Sequence, residues 1–560
     1  MIYNREFLKK NLDAMAEVNE ELYARLSAVC RDAGTPDWYS FSVSRSGETV
    51  PMLKGQTLHS LMDPKREAQR LVSTIKQGTN FLVFLGFGGG FLPEAALEER
   101  TDAHVIVIDF NLNGIAEILS SRDFSQLIKN DRFYLLLHPS CEEIKTFILE
   151  EYKPALSGGI QTIPLRARAE IDKPLFDAAI TAIQEAIEIV SGDYSVQAHF
   201  GKRWFSNIIR NIKQITMNKE QLSINKKQIH EAAIIAAGPS LDRQLQSIAE
   251  LKARNVFIIS TDTALPVLAH NGITPDAAVS IDCQHISYYH FLYCSLNVNI
   301  PLFLDIASPP LLSHLSGFTP VFFSSGHPLA RYFSGASLPY LDTSGGNVTY
   351  ACLSAAEYWG AKRIHLFGAD FAYINSRSYA RGTYIYPHFY RRQNRLSPIE
   401  AQFSKFLYRS PFLPSENEQL KTRDEKYYET ASLRFYRKKL EEKTSLMDAE
   451  IICRAGVGAP VSICKKQRTE NREQKAISRE HRESGSVNFL ERYKNDIAGL
   501  PEPESKGNYL KGLSAKNKSI FTTLLPYMAA VKKMKPELTL RELIKEVKHC
   551  CIEEIKFLSG

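Results

Sequence analysis

Five polar turns in the middle of the chain carry residue types suited to holding a phosphate ester. Gly238-Pro239-Ser240 ends an apolar run and opens a helical pattern, so its backbone N–H groups and the Ser240 hydroxyl are expected to form an anion site. Thr261-Asp262-Thr263, Asp282 and Gly368-Ala369-Asp370 each end an apolar run, and Thr343-Ser344-Gly345-Gly346-Asn347 opens another helix. Ligands of open α/β sheets bind beyond the carboxyl ends of the strands, so these turns are expected to converge on one crevice. Each alone reads equally well as an ordinary helix cap. Five together favour a nucleotide-phosphate pocket.

A second group spans 370–395, where five tyrosines, five arginines and one histidine fall in 26 residues without a helical stripe. Phenol and guanidinium donors can stabilise a departing phosphate, and a histidine near neutral pKa can act as a base. The same residues could simply form an aromatic lid, with His388 a packed loop histidine. A third group is Gly86, Gly88 and Gly90 at a strand end, with Asp109 closing the next strand 23 residues after Gly86. Such glycines let a ligand approach the backbone, and the acid can bind a ribose diol. The pattern is as close to a methyl-donor loop as to a dinucleotide fingerprint. Equally, the glycines could make only a tight turn, with Phe87 and Phe91 filling the space a nucleotide would need.

These residues need strands to hold them. The runs at 81–86, 104–110 and 132–139 alternate with helical stretches, which predicts βαβ units around a buried parallel sheet. Asp63-Pro64 supplies a cap and a first helical residue. From 231 a second α/β unit begins, with strands at 231–238, 255–261, 277–282, 301–307, 320–325, 362–370 and 449–456 and a helix at about 424–443. The fold class expected is α/β, with two mainly parallel sheets and a C-terminal helical region. The expected boundaries are 1–200, an N-terminal helix, α/β domain and helical connector; 201–464, a central catalytic α/β domain; 465–486, a charged linker; and 487–560, the helical region.

The chain has 560 residues, so a single small fold is excluded. Its 44% hydrophobic and 23% charged content exclude disorder and collagen-like sequence. A net charge of +7 is small for this length, so no nucleic-acid partner is expected. Nine cysteines occur without a C-x-x-C pair, which points to neither a zinc ribbon nor a disulfide framework. The first 26 residues read as an amphipathic helix, not a signal peptide, and no run of 18 apolar residues occurs. A cytoplasmic protein without a membrane span is expected.

The series DPKREAQRLV, LGFGGG, AAGPSLD, TDTALPVLAHNGITPDAAVSID, TSGGNVTYACLSAAEYWGAKRIHLFGADFAY and YARGT, in that order, resembles the motility-associated factor family, nonulosonic acid transferases that glycosylate flagellin. The resemblance covers roughly 55–460 and implies a Rossmann-like N-terminal domain, a central domain similar to bacterial sialyltransferases, and C-terminal helices. It implies a CMP-activated sugar as donor, Ser or Thr of flagellin or a similar surface protein as acceptor, a role in flagellar assembly and motility, and no required cofactor. On that resemblance the nucleotide lies near Gly238, Pro239, Ser240, Asp262, Asp282, Ser344, Gly345, Gly346, Asn347 and Asp370. Tyr373 steadies the leaving phosphate, His388 is the base, and Arg391 and Arg392, with Arg395 beside them, pair with the sugar carboxylate.

The same motifs are also similar to hydroxymethylpterin diphosphokinases, which implies an alternative using ATP and Mg²⁺ held by Asp262, Asp276 and Asp282. In that pattern the last motif usually continues with a second acid, where Gln284 stands here. Diphosphate transfer leans on such carboxylates, whereas sialyl-type transfer can leave the phosphate of CMP to hydrogen bonds alone.

Overall fold

A computed structural model describes residues 4–31, 38–217, 229–292, 294, 298–334, 338–409, 412–413, 427–454, 456, 458–463, 489–503 and 507–559. The chain forms two compact units. One comprises 1–201, 499–521 and 525–549; the other comprises 202–498, 522–524 and 550–560. The charged segment 465–486 lies outside the described residues.

The first unit opens with helices Arg5–Val18 and Glu20–Arg31, then an antiparallel sheet of β1 (Tyr39–Val43), β2 (Thr49–Leu53) and β3 (Gln56–Thr57). The turn-rich sequence around these short strands hid them from the periodicity. Asp63 accepts a hydrogen bond from the Arg66 amide at 3.0 Å and Pro64 is the first residue of the next helix, as expected. Strands β4 (Thr79–Leu85), β5 (His104–Asp109), β6 (Phe133–Leu137) and β7 (Gly159–Pro164) form a parallel sheet in the order β6-β5-β4-β7. Their side chains alternate between two cores: Leu82, Phe84, Val105 and Val107 on one face, and Phe81, Val83, Ile106 and Ile108 on the other. Both faces are covered, which is why these strands read as unbroken apolar runs.

The second unit carries seven parallel strands: β8 (Glu231–Ile235), β9 (Phe257–Thr261), β10 (Ala277–Ser280), β11 (Ile300–Asp305), β12 (Phe318–Phe323), β13 (Arg363–Phe367) and, closing one edge, β17 (Glu450–Cys453). Their order is β12-β11-β10-β9-β8-β13-β17, so the winding reverses between β8 and β13. Helix Val348–Tyr358 packs Ala351, Cys352, Ala355 and Ala356 into the core shared with β8, β9 and β10. It enters from the carboxyl edge, because Trp359 at its end accepts from Ile229 just ahead of β8.

One expected helix is shorter than the sequence implied. Residues 427–430 of the predicted 424–443 helix form β16 (Tyr427–Thr430), which pairs with β14 (Tyr373–Ile374) and β15 (Phe412–Leu413); the helix is Ala431–Leu446. Tyr427, Tyr428 and Thr430 suit a strand, and Thr430 then caps the helix by accepting from the Leu433 amide. The fold is α/β throughout, two Rossmann-like units with helices at the C-terminal end (Phe489–Ala498, Ala515–Met534 and Leu540–Ser559). Among the described residues no helix is long and apolar enough to cross a membrane, and all eight described cysteines are free.

Candidate functional site

In the first unit the glycine loop after β4 is packed shut. A Cβ at Gly86 would lie 2.7 Å from the Arg168 side chain, one at Gly88 2.5 Å from His59 and Leu165, and one at Gly90 2.6 Å from Phe124. Asp109 is fully buried and accepts from the Phe87, Phe110 and Asn111 amides at 2.9, 2.7 and 3.1 Å. Its remaining demand is met by Arg168, itself fully buried, at 2.7 Å. Of the two readings of Gly86–Gly90 and Asp109, the packing favours the tight turn: the chain's own side chains fill the space and the acid's lone pairs. His59, which accepts from the Gly89 amide at 2.9 Å, is pushed down to about 4 by burial and then by Arg122, so it packs there neutral.

In the second unit all five polar turns lie at the carboxyl edge of the sheet, in two clusters. In the first, the Ser240 amide donates to Asp370 Oδ2 at 2.8 Å, the Gly238 amide to the Gly368 carbonyl at 2.8 Å, and the Leu241 amide to the Gly238 carbonyl at 3.0 Å. The anion cradle expected at Gly238, Pro239 and Ser240 is thus occupied by a carboxylate of the chain. Burial raises the Asp370 carboxyl, the Ser240 bonds opposing that rise. Asp370 borders a cavity of about 230 Å³ with Arg454, Gly456 and Gly458.

The second cluster joins the ends of β9 and β10. Asp262 accepts from the Thr263 amide at 2.7 Å and from the Ser280 hydroxyl at 2.7 Å. Asp282 accepts from the Gln284 amide at 2.9 Å; burial raises its carboxyl and the neighbouring Asp262 charge adds to the rise. Asp282 in turn acts on the Tyr436 phenol, whose ring lies 3.2 Å from the position a Cβ would take at Gly346. Asn347 caps helix Val348–Tyr358 by accepting from the Tyr350 amide at 3.0 Å, and the Ser344 amide donates to Asp342 at 3.0 Å. Asp276 does not join these acids. It stands ahead of β10 at the opposite edge, bound to Lys252 at 2.7 Å and to the Ile258 amide at 2.8 Å. Among the described residues no group of three His, Cys, Asp or Glu side chains is placed to hold a metal. The magnesium set Asp262, Asp276 and Asp282 is therefore corrected on geometry.

The segment after Asp370 covers the end of β8. Arg377 pairs with Asp242 at 2.7 Å and the Ala380 amide donates to the Ala237 carbonyl at 2.9 Å. Beyond it, helices Ile385–Tyr390 and Ile399–Leu407 frame an open cavity of about 510 Å³. His388 and Arg392 line it; Arg391 does not. Burial, and then the charge of Arg392, lowers the His388 imidazole from its ordinary value, which leaves it neutral and able to accept a proton at pH 7. Tyr384 also lines the cavity and feels the charges of Asp262 and Asp282, linking the cavity to the second cluster. Tyr373 sits half-buried on β14, and the cavity-lining Arg409 acts on its phenol.

Sequence reasoning missed Lys405 and Arg409, because they stand outside any polar-turn motif. It also missed Asp305 at the end of β11. That buried carboxyl is pushed up to about 6 by burial, opposed by the Ala307 amide and Ser325. A further pair was hidden in the long helix Lys173–Met217. The buried Asn207 amide donates to the Cys283 and Ala307 carbonyls, and Asn211 to those of Ile306 and Ser308, at 2.8 to 3.1 Å. Two asparagines thus hold the loops that follow β10 and β11.

An α/β chain with a cationic hollow beyond the carboxyl ends of a doubly wound parallel sheet is a ligand-binding architecture. Comparisons with known proteins fall on both families that the motifs resemble. Residues 206–376 match the 6-hydroxymethylpterin diphosphokinase MptE-like family. The fold is that of a solved MAf glycosyltransferase from Magnetospirillum magneticum AMB-1, with a TM-score of 0.59 and 16% identity over 99% of this chain and 96% of that one. Two uncharacterized proteins of Treponema pallidum (strain Nichols) are similar in sequence. One is 38% identical over 122 residues, 21% of this chain and 44% of that protein, so the chain spans less than half of its length. The other is 32% identical over 186 residues, 32% of this chain and 87% of that protein. The chain belongs to the same family as this second protein.

Proposed function

We propose that the protein is a glycosyltransferase that moves a nonulosonic sugar from a CMP-activated donor to Ser or Thr hydroxyls of flagellin or a similar surface protein, in support of flagellar assembly and motility. The observation that carries this reading is the 510 Å³ cavity, where a neutral histidine and an arginine face one hollow. The likeness of fold to a MAf glycosyltransferase over nearly the whole of both chains supports it. In this reading the acceptor hydroxyl attacks the anomeric carbon, the bond to the CMP phosphate breaks, and CMP leaves with the bonding electrons. His388 takes the hydroxyl proton. The donor's carboxylate pairs with Arg392, and Tyr373 donates toward the departing phosphate. The nucleotide rests against Asp262, Asp282 and the Ser344–Asn347 turn. The reaction proceeds in the cytoplasm, consistent with the free cysteines.

Incubation of the purified chain with CMP-pseudaminate or CMP-legionaminate and unmodified flagellin tests the reading. A mass increase of one sugar on flagellin is expected, and an unchanged mass with both donors would refute it. The match of 206–376 to the diphosphokinase-like family favours a second reading, Mg-ATP-dependent diphosphate transfer to a hydroxymethylpterin. Against it stand Gln284 in place of an acid and the separation of Asp276 from Asp262 and Asp282. AMP release on addition of ATP, magnesium and the pterin would favour it.

A further inference from the structure

Three cations line the large cavity from two directions: Arg392 just past helix Ile385–Tyr390, and Lys405 and Arg409 on and just past helix Ile399–Leu407. All three are exposed at its walls, and among the described residues no carboxylate pairs with any of them. Other basic side chains of this unit are matched to an acid, as Lys252 is with Asp276, Arg363 with Glu450 and Arg377 with Asp242. Arg409 is also the cation that acts on three phenols at once, those of Tyr373, Tyr379 and Tyr384, and its guanidinium stacks 4.1 Å from the Phe406 ring centroid. Of these phenols Tyr384 lines the cavity with it, and the guanidinium, backed by an aromatic face, has donors to give and, among the described residues, no acid to receive them. Such a concave donor-rich wall suits an anion with several oxygens.

We propose that Arg409 and Lys405 form a clamp for the phosphate of the activated donor, facing Arg392 across the same cavity. The inference rests on the transferase reading and deepens it: with the amides of Gly238, Ser240 and Leu241 taken by the chain itself, the phosphate is held by side chains of the 399–409 segment. As the glycosidic bond breaks, negative charge grows on the leaving phosphate, so these cations bind the departing CMP more tightly than the donor's diester. The donor carries two anionic groups, a phosphate and a carboxylate, and the experiment separates them.

Calorimetric titrations of the full chain with CMP, cytidine, free nonulosonic acid and inorganic pyrophosphate test the clamp in wild type, Arg409→Gln, Lys405→Gln and Arg409→Lys. The expected result is roughly tenfold weaker CMP binding in Arg409→Gln, a smaller loss in Lys405→Gln, and partial recovery in Arg409→Lys. Cytidine and the free sugar acid should bind all four proteins alike. Equal CMP affinity in wild type and both Gln variants would overturn the clamp while leaving the transferase reading intact. Loss of sugar-acid binding instead of CMP binding would move these residues to the carboxylate and also overturn it. If wild type ignores CMP but binds pyrophosphate in an Arg409-dependent way, the clamp stands and the CMP donor falls. Binding of neither anion would sink the clamp. Because the three side chains are exposed, the variants are expected to keep the wild-type melting temperature.

Discussion

Two glycine-bearing strand ends of this molecule, after β4 and after β8, look alike in sequence and differ in their surroundings. After β4, Gly86–Gly90 admits Arg168, His59, Leu165 and Phe124 to within contact of its backbone, and Asp109 spends its lone pairs on three amides and one guanidinium. After β8, Gly238–Ser240 is likewise closed, by Asp370, but the same unit carries an open cavity walled by cations that no described carboxylate pairs. Glycines at a strand end report only that something approaches the backbone closely. Whether that something is a ligand or a side chain is decided by residues far away in sequence, here Arg168 and Asp370. Unmatched charge around a hollow is the better mark of a site.

The contrast can be broken most forcefully at Asp109. Asp109→Ala leaves the buried Arg168 guanidinium with Asp172 at 2.6 Å as its remaining carboxylate among the described residues, and a loss of about 3–5 kcal/mol is expected. Scanning calorimetry should show a much lower melting temperature, with CMP affinity retained below it. A stably folded Asp109→Ala that has lost nucleotide binding would reverse the roles of the two units. Next in size is His388→Ala, expected to cut sugar transfer by about 10²- to 10⁴-fold with the melting temperature unchanged. In wild type the acidic limb of kcat should fall below pH 6.5, following the depressed imidazole.

Asp305 sharpens the comparison from the side of burial. Its folded-state pKa of about 6 lies above the ordinary value of about 3.9, so the folded chain holds this proton more tightly than the unfolded one. Wild-type stability from this group is greatest below about pH 3.9 and is lost as pH rises through 6. Asp305→Asn keeps an acceptor for the Ala307 amide and should gain on the order of 2 kcal/mol at pH 8, with no gain at pH 4, by urea titration at both pH values. The smallest effect expected separates two adjacent arginines. Arg392→Gln should raise the donor KM roughly tenfold, and Arg391→Gln, which lies off the cavity, should change it less than about twofold.

Much of the fold was legible because a sheet buried on both faces leaves long apolar runs, as at Phe81–Leu85 and Ile234–Ile235. The hairpin at 39–57, β7 and β16 were not legible, since short or half-exposed strands give too little alternation to stand out. Asp262, Asp282 and Asp370 were recognisable as polar strand ends, and Ser344 and Asn347 as a polar helix start; they lie along one edge of the sheet in two clusters. What the pattern could not tell is which of their hydrogen-bonding groups are already taken, as with the Ser240 amide and both oxygens of Asp262. Lys405 and Arg409 look like ordinary surface cations on an amphipathic helix until the fold lays that helix beside His388.

The spacing of Asn207 and Asn211 has a geometric corollary. Four residues of α-helix advance about 6 Å, so Asn211 stands one turn beyond Asn207 on the same face. Asn207 therefore works like a tooth set between the two loops, donating to Cys283 after β10 and Ala307 after β11, while Asn211 engages the β11 loop alone, at Ile306 and Ser308. One residue inserted between the two asparagines would swing the second by about 100°, leaving Asn207 alone to hold the loop after β11.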